Sequence, residues 1–140
     1  MIQSFFLINN TGDVLIEKHW RGVTPRNVCD FFWDEVTKYD RKEEMPPIVA
    51  TSKYYLVSIY RSDMFLVATT TGETQPLLII EFLHRVFEIF EEYFGSVEEN
   101  AIKENFSTVY QLLEEMMDYG YPLTTEPNAF KAMIQPASVL

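Results

Sequence analysis

The apolar residues Ile102, Phe106, Val109, Leu113 and Met116 recur in steps of four, three, four and three. That spacing writes one stripe along a helix and predicts a long helix over Ala101 to Tyr119. Lys103, Glu104, Ser107, Gln111, Glu114, Glu115 and Asp118 fill its other side. Gly120 supplies the stop and Pro122 forbids a return to helix. A helix with one clean apolar stripe must dock on something. It carries acids but no residue set that does chemistry, so the chain reads first as a scaffold.

The length, 140 residues, suits one domain with one real core. Twenty-one acids against 11 bases leave a formal net charge of −10. That excess argues against nucleic acid or an anionic membrane as a partner of the whole surface. Lys18, His19, Arg21 and Arg26 are the nearest thing to a basic patch, and read as ordinary solvated surface. The single cysteine, Cys29, allows no internal disulfide and reads as a small buried hydrophobe. The N-terminal apolar run is too short for a signal sequence and lacks a basic lead. The segment from Leu77 to Phe94 carries too many charges to cross a bilayer. A cytoplasmic, reduced protein is expected.

Along the chain, Ile2 to Ile8 and Val14 to His19 read as two strands around the turn cluster Asn9-Asn10-Thr11-Gly12-Asp13. Thr24 is positioned to cap a helix with Pro25 at its first position, running to about Lys38. Pro46-Pro47 ends a charged loop. Ile48 to Thr51 reads as a short edge strand and Tyr54 to Arg61 as a strong one. Ser62-Asp63 turns the chain into Met64 to Thr70, apolar enough for a central strand covered on both faces. Pro76 opens a second helix that ends at Gly95. Its polar positions Glu81, His84, Arg85, Glu88, Glu91 and Glu92 form one narrow stripe, so it is the buried helix. A short helical piece is expected around Asn128 to Ile134.

The order β-β-α-β-β-β-α-α predicts an α+β fold. It has five mostly antiparallel strands, one helix on one face and two on the other. The sheet edges offer unpaired backbone groups that a partner chain can cover.

No pattern argues for catalysis. Glu81-Phe82-Leu83-His84 has the spacing of one half of a di-iron site, and Glu88 extends that face. A second such motif is missing, so no metal is expected. Glu114, Glu115 and Asp118 are neighbours on a solvated helix face, not carboxyls placed on opposite sides of a substrate as general acid and base work needs. Cys29 and His19 form no recognisable nucleophile pair, and no Gly-x-Ser-x-Gly elbow or phosphate loop occurs. No catalytic residue or cofactor is expected. The aromatic residues remain. Phe31, Phe32 and Trp33 span about 200° of helix surface and cannot all face one sheet. Trp20 sits beside Arg21-Gly22 in a loop. Trp20, Phe31 and Trp33 are the candidate partner-interface residues, because aromatic side chains enrich interface cores.

Phe6-Leu7-Ile8-Asn9, the Gly12-Asp13 turn and Glu17-Lys18-His19-Trp20 open a longer ordered set. It continues through Glu81-Phe82-Leu83, Tyr93-Phe94-Gly95, Ile102-Lys103-Glu104-Asn105, Val109-Tyr110 and Leu112-Leu113-Glu114-Glu115-Met116. It closes on Asp118-Tyr119-Gly120-Tyr121-Pro122-Leu123-Thr124-Thr125-Glu126. From Ile2 to about Gln135 the chain resembles the N-terminal domain of a medium (mu) chain of the vesicle-coat adaptor complexes. The string at Glu17 to Trp20 is most like that of the delta-containing complex, which serves traffic to the lysosome or vacuole. The exit with Gly120, Pro122 and Glu126 favours a medium over a small (sigma) chain.

The resemblance implies a longin (SNARE-like) fold over 1–135, with 136–140 as the start of a linker. It implies a non-enzymatic subunit of a heterotetramer, docked on the solenoid of the beta-type large chain. It implies a cytoplasmic protein that meets Golgi and endosomal membranes only through the complex. The β-rich cargo-reading domain of such chains is not among these 140 residues, which are expected to be either a fragment or a short product, so cargo reading maps to no residue here. A small adaptor chain or another longin-type tethering subunit is the alternative.

Overall fold

The computed structural model describes residues 2–72, 75–118 and 121–122. Strands β1 (Ile2–Asn9) and β2 (Val14–His19) form a hairpin, followed by helix α1 (Asn27–Val36). A single 3-10 turn (Lys42–Glu44) leads to β3 (Ile48–Ala50), β4 (Tyr55–Arg61) and β5 (Met64–Thr70). Helices α2 (Pro76–Phe94), α3 (Glu99–Glu104) and α4 (Phe106–Met116) follow. The two-residue strands β6 (Met117–Asp118) and β7 (Tyr121–Pro122) pair with each other.

The five-stranded sheet runs β2-β1-β5-β4-β3, and every pairing is antiparallel. β5 is the middle strand and all seven of its residues are buried, as its apolar run predicts. Ser62 and Asp63 take φ of 50° and 60°, the left-handed pair that a two-residue hairpin turn needs. Alternation then assigns each strand's side chains to two layers. Phe6, Ile8, Leu56, Phe65 and Val67 meet Val28, Cys29, Phe32 and Val36 of α1. Phe5, Leu7, Ile16, Val57 and Leu66 meet α2 through Phe82, Leu83, Val86 and Phe90, and α4 through Val109, Leu113 and Met116. One helix therefore covers one face and the remaining helices the other.

α2 keeps the expected bounds. Pro76 opens it and Gly95 ends it at φ +81°, its N–H donating to the Glu91 carbonyl at 2.8 Å. Its polar stripe is the outward one. The first turn departs from this pattern, because Leu77 and Leu78 are 77% and 55% exposed.

Three expectations are corrected. The stretch after Gly95 is two helices rather than one. The Asn105 side chain donates to the Ala101 carbonyl at 2.9 Å, and its backbone leaves helical geometry at φ −119°, ψ 33°. The break rotates the stripe, so Leu112 is buried with Val109, Leu113 and Met116 while Phe106 is 50% exposed. Second, α4 stops at Met116, before Gly120, because Met117 turns to extended geometry and enters the β6–β7 ribbon. Third, Thr24 does not cap α1. The helix begins at Asn27 with no side-chain cap, and the Thr24 side chain is drawn into a buried polar network. Expectations for Tyr119, Gly120, the piece from Asn128 to Ile134 and the linker at 136–140 lie outside the described residues.

Candidate partner-binding surfaces

The three candidate aromatic residues do not share a face. Trp20 packs on the α2–α4 side of the sheet, whereas Phe31 and Trp33 pack on the α1 side. All three are half-buried. Trp33 stands edge-on to Phe65 at 6.1 Å between ring centres and lies over Gly12, so its first task is to seat the β1–β2 turn. Trp20 buries its indole Nε1 with no hydrogen-bond partner among the described residues. Phe31 borders open space on the α1 side. With Pro25, Asn27, Val28, Thr51, Ser52, Lys53 and Tyr54 it lines a groove of about 310 Å³ between α1 and the β3–β4 turn.

A second groove, of about 240 Å³, opens on the opposite face of the same hairpin. Ile48, Tyr55, Val57, Thr70, Gly72, Pro76 and Ile79 line it, and none of them carries a charge. Ile48 and Tyr55 are 40% and 47% exposed, and in the same first turn of α2 that supplies Pro76 and Ile79, Leu77 and Leu78 are exposed as well. Sequence reasoning missed this patch. The signal was present in the unbroken apolar run Pro76 to Ile80, which no helix buries on all sides.

The basic cluster is paired off. Lys18 bonds Glu114, and Arg26 Nε lies 3.2 Å from Glu17 Oε1. His19 Nδ1 accepts the Thr24 N–H at 3.2 Å, which assigns the ring hydrogen to Nε2. Nε2 then donates to Glu17 Oε2 at 2.7 Å. The Ser4 hydroxyl donates to the same Nδ1 at 2.7 Å and is joined to Thr24, which reaches Thr69 at 3.3 Å. Ser4, Thr24 and Thr69 are fully buried, so this Ser-His-Glu line holds the loop from Trp20 to Pro25 on the sheet and offers no nucleophile to a substrate.

The other candidate chemistry is likewise structural. His84 Nδ1 lies 3.3 Å from Arg61 Nη1, and the Arg61 guanidinium lies 4.1 Å above the Phe87 ring. Burial pushes the Cys29 thiol up to about 12, outweighing the opposing effect of Arg26, so it stays an inert thiol. Among the described residues no group of three potential metal ligands gathers, and no helix is long and apolar enough to cross a membrane.

The family profile described as clathrin adaptor complex small chain matches residues 1–137. The chain belongs to that adaptor family. Within it, "AP-3 complex subunit mu-1" of Homo sapiens is 49% identical over 140 residues. "AP-3 complex subunit mu" of Dictyostelium discoideum is 49% identical over 142. Both alignments take in 100% of this chain and 34% of the relative, so the chain spans about a third of the length of these mu subunits. A chain of the structure described as "Homology model of the full-length AP-3 complex in a stretched open conformation" superposes with a TM-score of 0.74. It covers 95% of this chain and 90% of that one at 14% identity, a likeness of fold alone. The adaptor-family domain thus has the α+β layers expected of it, and its named relatives at near half identity are mu rather than sigma subunits.

Proposed function

We propose that this domain is a non-enzymatic assembly subunit of a vesicle-coat adaptor complex in protein transport from Golgi and endosome to the lysosome or vacuole. It docks on the beta-type large chain and meets the membrane only through the complex. The reading rests on one observation above all: 49% identity with AP-3 mu subunits across the whole of this chain. The arrangement of surfaces supports it. The polar networks are closed on themselves, whereas apolar side chains are presented on both faces of the β3–β4 corner. Trp20, Phe31 and Trp33 remain the candidate contacts, with Phe31 in the groove beside α1, Trp33 on the same face and Trp20 on the opposite one.

Purified domain mixed with the beta-type large chain tests this. Co-elution as a stable complex is expected, with Phe31→Ala weakening it while leaving the folded domain intact. A folded domain that never co-elutes with that chain refutes the assignment.

A further inference from the structure

The two edges of the sheet are treated differently. At the β2 edge the Tyr110 hydroxyl donates to the Glu17 carbonyl at 2.8 Å and accepts the Glu17 N–H at 3.3 Å. A side chain from α4 therefore occupies the outward pairing groups of Glu17 on that edge. At the β3 edge nothing comparable is present among the described residues. Ser58 N–H donates to the Pro47 carbonyl and Thr51 N–H to the Tyr54 carbonyl, both at 2.8 Å. With the register Val49 opposite Leu56, antiparallel alternation turns the N–H and C=O of Val49 inward to β4. Those of Ile48 and Ala50 then point out into the open edge.

This edge lies between the two grooves already described: Phe31, Lys53 and Tyr54 on one side, Ile48, Tyr55 and Ile79 on the other. A partner that enters the Phe31 groove meets β3 next. The three-residue strand also limits what fits. Two copies joined through β3 alone would bury far less than the roughly 1,200–2,000 Å² of a stable dimer. A short extended piece matches, and connections between packed helices run to about 2–8 residues. Charge orients it. Glu44 precedes β3 and Lys53 follows it, both exposed and neither ion-paired among the described residues.

We propose that β3 takes, by strand addition, an extended inter-helix loop of the large chain. That loop places an acidic residue beside Lys53, a basic one toward Glu44, and an apolar side chain in the groove between Ile48, Val57 and Ile79. The inference rests on the docking partner proposed above and specifies where and how that partner is met.

Ala50→Pro tests it. Proline removes the outward N–H of an edge strand and none of the bonds to β4. With the large chain and the domain as probes, Ala50→Pro is expected to lower affinity at least tenfold, with Lys53→Glu weakening it as well. Hydrogen exchange on the wild-type complex is expected to slow the Ile48 and Ala50 amides at least tenfold, a readout that stands even where the proline variant folds poorly. Undiminished binding with both amides exchanging freely overturns strand addition and leaves the docking partner in place. Binding lost in Leu77→Ser but untouched in Ala50→Pro, with the amides free, overturns it in favour of a docked helix. No binding by the wild-type domain overturns both proposals. A concentration-dependent dimer that Ala50→Pro abolishes assigns the edge to a second copy and overturns this one.

Discussion

The Tyr110 hydroxyl holds both backbone groups of Glu17, donating to its carbonyl at 2.8 Å and accepting its N–H at 3.3 Å. At Glu17 one phenol thus fills the places that a further strand would fill there. Tyr110→Phe removes the hydroxyl and keeps the ring, including its edge-on contact with Phe106 at 4.7 Å. The expected loss is about 0.5–1.5 kcal/mol, the net worth of ordinary hydrogen bonds. Urea unfolding measures it, and amide exchange at Glu17 should quicken in the same variant. An unchanged Glu17 exchange rate would show that the hydroxyl does not guard this edge.

Gly12 and Trp33 form a second coupled pair. Gly12 sits at φ +94°, where a Cβ is strained, and that Cβ would lie 2.8 Å from Trp33 Cε2. Gly12→Ala is expected to destabilise by roughly 1–3 kcal/mol from backbone strain alone. Displacement of the indole from Phe65 adds to that loss. The double variant Gly12→Ala with Trp33→Leu separates the parts. Its loss should fall short of the sum of the singles, because the clash vanishes with the ring. Strict additivity in thermal unfolding would refute the contact.

Much of this architecture is legible in the sequence, and the exceptions share a cause. α2 keeps its bounds because Pro76 and Gly95 punctuate it locally. β5 is recognisable as central because its first five residues, Met64 to Ala68, are all apolar and leave no alternating polar face for water. Phe106 deceives because its spacing fits a continuous helix, whereas the Asn105 side chain competes for the Ala101 carbonyl and resets the phase. Thr24 deceives in the same way. Its cap signature is sound locally, yet Ser4 and Thr69 on distant strands offer its hydroxyl a buried partner. The surfaces are harder still. The seating of Trp33 over a turn glycine, or the exposure of Ile48 in the groove by Ile79, depends on which elements the fold leaves uncovered, and periodicity is blind to that.

The Ser4–His19–Thr24 network predicts a loss confined to one loop. Ser4→Ala leaves the Thr24 hydroxyl one partner short in a site with no access to solvent. Thr24 keeps Thr69 as a partner, so the expected loss is that of an ordinary hydrogen bond, about 0.5–1.5 kcal/mol. Amide exchange at Thr24 and its neighbours in the β2–α1 loop should quicken with it, while β5 stays protected. Nitrogen chemical shifts of the His19 ring check the assignment directly, with Nε2 expected to carry the hydrogen at neutral pH. A ring protonated at Nδ1 instead, alongside unchanged stability in Ser4→Ala, would dismantle the network.

Glu99 ties α3 to the β1–β2 turn and makes that tie sensitive to acid. Hydrogen bonds from Lys103 at 2.8 Å and from Asn9 Nδ2 at 3.1 Å hold its carboxyl below the ordinary value of 4.5. A carboxyl lowered in the folded state adds stability that is fully present above 4.5 and is lost as pH falls through the lowered value. The partner works the other way, since Glu99 raises Lys103 above 10.5. That contribution is full below 10.5 and fades as pH rises through the raised value, so neither group is titrating at pH 7. Glu99→Gln should be less stable than the parent at neutral pH, and the two stability curves should converge as the carboxyl protonates in acid. Because the pair is exposed, 0.5 M salt should narrow the neutral-pH gap while leaving the Asn9 bond in place. Parallel curves from pH 7 down to pH 2 would show that the carboxylate contributes nothing specific here.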